Sequence, residues 1–130
     1  YDLAFENDQR TYPINNLSDY IYASRGSVAS EAMRSMVSRI VKQDPAAKAR
    51  LLELWTAART EGGLDDLNAM VDELEVLLQE SQELNFKRWK ILDQRVHENY
   101  QALGSYSAEV GTVRTYITKR LESLDKLIRK

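Results

Sequence analysis

The feature that most constrains this chain is an apolar period of 3.6 residues that takes hold at Ser27 and recurs to the C-terminus. Leu64, Leu67, Val71, Leu74 and Leu78 step by 3, 4, 3 and 4, and Met70 and Leu77 widen the stripe, the pattern of a helix with one face toward a core. Val28, Ala32, Met33, Met36, Val37, Ile40 and Val41 repeat it earlier. Ala47, Leu51, Leu54, Trp55 and Ala58 follow. Phe86, Trp89, Val96, Tyr100 and Leu103 share a fourth face, with Leu92 between Trp89 and Val96. Val110, Val113, Ile117, Leu121, Leu124 and Ile128 line a fifth, in a helix of about six turns. Such stripes allow little besides packed helices, so the fold expected is mainly α, a bundle of about five helices.

The punctuation between stripes agrees. Asp44 before Pro45 is a start signal, because the carboxylate accepts from orphan amides and proline at the first helical position loses no hydrogen bond. Gly62-Gly63 supplies the positive φ that ends a helix reaching about Glu61, and Gly104 is placed to end the fourth. The third is expected to break near Ser81. Ser105 or Ser107 opens the last helix, with Glu109 in its first turn and Lys126, Arg129 and Lys130 at the negative end of its dipole.

Residues 1–26 differ. Tyr1, Leu3 and Phe5 alternate, and turn formers follow at Asn7-Asp8, Pro13 and Asn15-Asn16. This stretch reads as an extended or loop segment, anchored by Tyr1, Tyr12, Tyr20 and Tyr22, ahead of a helical part over residues 27–130.

Composition narrows function mainly by exclusion. With 18 Lys plus Arg against 20 Asp plus Glu, the formal net charge of −2 provides no basic field for a polyphosphate backbone, so nucleic acid is not an expected partner. Without cysteine, neither disulfides nor thiolate metal sites can form. No apolar run approaches the roughly 20 residues that span a bilayer, so the chain reads as soluble, with no membrane span. Charge also sorts by helix. Leu64 to Glu83 holds seven acids and no base, whereas Arg114 to Lys130 holds six bases and two acids. Those two helices are therefore expected to be neighbours.

Constellations with chemical potential are sparse. The five glycines are scattered, which rules out a P-loop. His97 is the single histidine and reads as structural. Asp72, Glu73 and Glu75 have the chemistry of hard-cation ligands, but their place off the leucine face reads as solvated surface. Lys87, Arg88 and Lys90, interleaved with Phe86 and Trp89, read as charges turned to water around core aromatics. Asp2, in YDLAFEN, sits in a short apolar strand pattern, where a carboxylate can hold Mg²⁺ against phosphate.

Taken together, YDLAFEN with Tyr12-Pro13, KQDPAAKARLLELW, NFKRWKIL and YSAEVGTVRTYITKRLESLD resemble, in order, blocks of the spore-coat protein H (CotH) kinase-like family. The similarity runs over essentially the whole chain, as the C-terminal helical part of that family's domain. The resemblance implies an atypical protein-kinase-like fold in which Mg²⁺ and ATP serve phosphoryl transfer to proteins by the full-length parent. Asp2 would be the metal ligand. Glu6 stands where the family typically has glycine. The nucleotide-binding lysine and the catalytic residues would lie upstream of Tyr1, so this chain would be a helical support for its own N-terminal catalytic lobe, shaping a surface for a protein substrate. Localisation by resemblance is extracytoplasmic, at the cell surface, secreted or in a spore coat. The competing expectation is a non-enzymatic helical protein–protein interaction module. Self-association is expected if the aromatic N-terminal segment lacks its packing partner.

Overall fold

The computed structural model describes residues 28–96 and 101–130. These are mainly helical, with no strand among the described residues. The helices are α1 (Val28–Gln43), α2 (Pro45–Thr60), α3 (Leu67–Leu77), α4 (Gln79–Arg88) and α5 (Tyr106–Arg129), with a 3₁₀ turn over Leu64–Asp66. The expected extended segment at residues 1–26, with Asp2, lies outside the described residues, as do His97 and Tyr100.

Local chemistry sets most of the boundaries. Asp44 is extended at φ −111° and its Oδ1 accepts from the amides of Ala46 (2.9 Å) and Ala47 (3.3 Å), while Pro45 occupies the first turn of α2. The α2 C-terminus closes when Glu61 and Gly62 both donate to the Ala57 carbonyl, and Gly63 then takes φ 72°. Gly62 serves a different need from Gly63. A Cβ there would stand 2.7 Å from the Ala58 carbonyl oxygen, closer than any side chain tolerates. At α5, Ser105 Oγ accepts from the Ala108 amide at 3.2 Å, and Glu109 reaches back to accept from the Leu103 amide at 3.2 Å.

Two boundaries differ from the sequence reading. The third stripe breaks at Leu78 rather than near Ser81, by a single residue at φ −90°, ψ 3° that joins α3 to α4. Hydrogen bonds from Leu78 to Leu74 and from Gln82 to Leu78 keep the backbone satisfied on both sides. The fourth stripe does not become one helix. Helix α4 stops at Arg88, Trp89 turns extended (φ −114°, ψ 98°), and the described part of residues 89–105 is irregular. Gly104, expected as a helix stop, instead takes φ 77° in this loop and donates to the Leu92 carbonyl at 2.9 Å. The reason is tertiary: Phe86 packs on Tyr106, with ring centroids 6.2 Å apart, whereas a helix continued from Arg88 to Tyr106 would carry the chain about 27 Å onward.

The described residues divide into two units, each with its own packing. One comprises 66–96 with 101–119, and the other 28–65 with 120–130. In the first, α3–α4 and the front of α5 run antiparallel: Asn68 meets Thr118, Asp72 and Glu75 meet Arg114, and Phe86 meets Tyr106. In the second, Trp55 and Ile128 are buried. Several residues expected inside are exposed, among them Met36, Ile40, Leu54, Leu74 and Trp89.

Candidate functional site

Within the first unit, one side of α3–α4 is fully engaged. Arg114 donates from Nε to Asp72 Oδ1 at 2.7 Å and from a second nitrogen to Glu75. The hydrogen bond donated to Glu75, then that donated to Asp72, holds the guanidinium pKa above its ordinary value. Asn68 Nδ2 donates to Thr118 Oγ1 at 2.9 Å. Acids of the third stripe thus meet a base of the last, as their charges predict. Arg114 also answers the cation question for this cluster. Asp72 and Glu75 converge on a guanidinium, and no group of three or more His, Asp or Glu side chains able to hold a metal occurs among the described residues.

The opposite side of α3–α4 is bare. Met70, Leu77 and Leu84 recur every seven residues, with Leu74 in the same strip, and all are exposed: Leu77 by 75% and Leu84 by 69%. Leu78, at 43%, lies at its far edge. Asp66, Glu73 and Glu80 follow one border of this strip with the same spacing of seven, and none is in an ion pair among the described residues. An apolar seam of this period with acids along its margin has the form of one half of a coiled-coil contact. Soluble surfaces seldom leave such a patch without a use.

In the second unit, charge and aromatic groups close on each other. Asp125 Oδ1 accepts from Arg129 Nε at 2.8 Å and from the indole of Trp55 at 3.0 Å. Arg59 lies 3.8 Å from the same oxygen, pairs with Asp65, and stands over the Trp55 ring at 5.7 Å. The Arg129 and Trp55 hydrogen bonds hold the Asp125 carboxyl below the usual aspartate range. The Trp55 indole and the Arg59 and Arg129 guanidinium groups thus converge on Asp125 and Asp65. The work of this cluster is to seat Trp55.

The sequence-proposed residues are thus dispersed. Asp2 and His97 lie outside the described residues. Lys87, Arg88 and Lys90 do face solvent, but Trp89 does not anchor a core: it is 55% exposed and carries the Arg88 guanidinium over its ring at 5.2 Å. The irregular backbone after Arg88 removes it from the face that holds Phe86. The exposed strip was misread as inward because Met70, Leu74 and Leu77 also fit a 3.6-residue stripe. The seven-residue recurrence does not separate the two faces, since Leu64, Val71 and Leu78 share it; the row of Asp66, Glu73 and Glu80 beside the strip is its one distinguishing mark in the sequence.

No family model matches the chain, and no curated protein and no solved structure matches it either.

Proposed function

We propose that the chain is a helical protein–protein interaction module whose working surface is the bare side of α3–α4. The observation that carries this reading is the contrast across one helix pair: Asn68, Asp72, Glu75 and Phe86 are engaged by α5, while Met70, Leu77 and Leu84 stand exposed. Burying a leucine stabilises by about 1.5–3 kcal/mol, so a partner that covers several of them has a substantial driving force. The test is binding of an apolar fluorescent dye by the 130-residue chain and by the double variant Leu77→Asp, Leu84→Asp. The dye should light up the parent chain, and the variant should lose most of that signal at unchanged helicity. A parent chain that leaves the dye dark has this face covered in solution, and the reading fails.

The CotH resemblance supports a finer form of the same proposal, in which the surface completed by this module is the catalytic lobe of a kinase-like protein. What favours it is that residues in the matching blocks are those the helical scaffold uses. Asp44 caps α2, Trp55 is buried, and Phe86 packs on Tyr106. In this form Asp2 is the Mg²⁺ ligand and ATP binds the parent protein. Calorimetry of Mg²⁺-dependent ATP binding by the parent, with and without Asp2→Ala, decides it. Binding that falls with the substitution supports the kinase form, and no binding by either leaves only the interaction module.

A further inference from the structure

The exposed strip also carries information about the chemistry of what covers it. From Met70 to Leu84 it extends about 21 Å along the helix pair, the length of a partner helix of four turns. Of the seven acids between Leu64 and Glu83, Asp72 and Glu75 share an ion pair with Arg114, and Asp65 pairs with Arg59. Asp66, Glu73, Glu80 and Glu83 are left without an ion pair among the described residues, and three of them border the strip at intervals of seven. A partner with acids along its own edges would meet like charge along this border, whereas one with bases would complete it.

We infer that the strip of Met70, Leu74, Leu77 and Leu84, edged by Asp66, Glu73 and Glu80, docks an amphipathic helix of another polypeptide that has an apolar heptad seam flanked by Lys or Arg. A second copy joined symmetrically through this face is a poor occupant. Two copies joined through this face would bring together two helix pairs without a base from Leu64 to Glu83. Two basic amphipathic helices occur among the described residues: α5, whose own stripe is already covered from Val110 through Ile128, and α1, with Arg34, Arg39 and Lys42, which packs on α2 and leaves Met36 and Ile40 exposed. The inference rests on the interaction-module reading and adds the partner's charge to it.

The experiment titrates the 130-residue chain into two labelled synthetic helical peptides of four heptads, read by fluorescence anisotropy. Both carry leucine at the seam positions. One has lysine at the flanking positions and the other glutamate. The lysine peptide should bind at least tenfold more tightly, with the difference shrinking as salt is raised. The double variant Leu77→Asp, Leu84→Asp, at exposed positions that leave the fold intact, should lose binding. Glu73→Lys with Glu80→Lys should reverse the preference toward the glutamate peptide. Equal binding of the two peptides, with loss in the leucine variant, would overturn the charge assignment and leave the interaction module standing. If neither peptide binds and sedimentation shows a dimer that Leu77→Asp separates, the occupant is a second copy and the inference is wrong. If neither binds, the chain is monomeric and the dye stays dark, both readings fall.

Discussion

The stripes of α3–α4 and of α5 look alike on paper and differ in what the fold does with them. In α5 every member of the stripe is shielded, from Val110, Val113 and Ile117 to Leu121 and Leu124, and Ile128 is 6% exposed. In α3–α4, Leu67, Val71 and Phe86 are comparably covered, while Met70, Leu74, Leu77 and Leu84 remain at the surface. The difference lies in which groups each helix offers besides its apolar ones. Helix α5 supplies Arg114 to one unit and Asp125 to the other, and each polar pair brings the neighbouring apolar residues into cover. Helix pair α3–α4 spends its polar contacts, Asp72, Glu75 and Asn68, on one side. An apolar period therefore tells that a face wants cover, and the polar groups beside it tell whether the chain itself provides it.

Truncation should separate the two stripes most sharply. Ile128→Ala is expected to destabilise the chain by about 3 kcal/mol, whereas Leu77→Ala should cost less than about 0.5 kcal/mol, because its side chain is already in water. Chemical denaturation of both variants checks this, and equal losses would erase the distinction. Asp44→Ala, which removes the cap of α2, should cost about 1 kcal/mol in the same assay.

Gly111 tests whether α5 has spare stability. It lies in the helix, and a Cβ there meets nothing within 4 Å. Gly111→Ala should stabilise by about 0.5–1 kcal/mol, seen as a raised melting temperature. A fall would mean that α5 needs closer approach at that point than its surroundings indicate.

Acid should act on the Trp55 cluster. Since Asp125 is held below the usual aspartate range, its stabilising contribution is complete above that range and is lost as pH falls through the depressed folded value. The chain should lose stability below about pH 4, and Asp125→Asn should melt a few degrees lower at neutral pH with a flatter acid limb. An unchanged acid limb would place the pH sensitivity elsewhere.

Much of the fold was legible from residues alone where the deciding chemistry is local. The start of α2 follows from Asp44-Pro45, its end from Gly62-Gly63, the start of α5 from Ser105, and the choice of α3–α4 as Arg114's neighbour from opposite charge. The candidate surface was only half legible. Its residues stood in the stripe, but Met70 and Leu77 fit an inward face as well as an outward one, since a seven-residue recurrence and a 3.6-residue period differ by only about 20° per heptad. The continuous fourth helix was misread for a related reason. Apolar spacing from Phe86 to Leu103 is compatible with a helix, and nothing local announces that the chain must turn back for Phe86 to reach Tyr106.

Local chemistry in the sequence is enough to make helices of residues 28–88 and of Tyr106–Arg129, to set where most of them begin and end, and to say which charges seek each other. Those outcomes depend on hydrogen bonds and dihedral angles within a few residues of one another. Tertiary structure alone decided that α4 stops at Arg88, that Trp55 rather than Trp89 is buried, and that one side of α3–α4 is left without cover. Each depends on contacts between residues far apart in the chain, such as Trp55 with Asp125 and Phe86 with Tyr106, where the gain from burial is assigned to one of several faces that periodicity leaves equivalent.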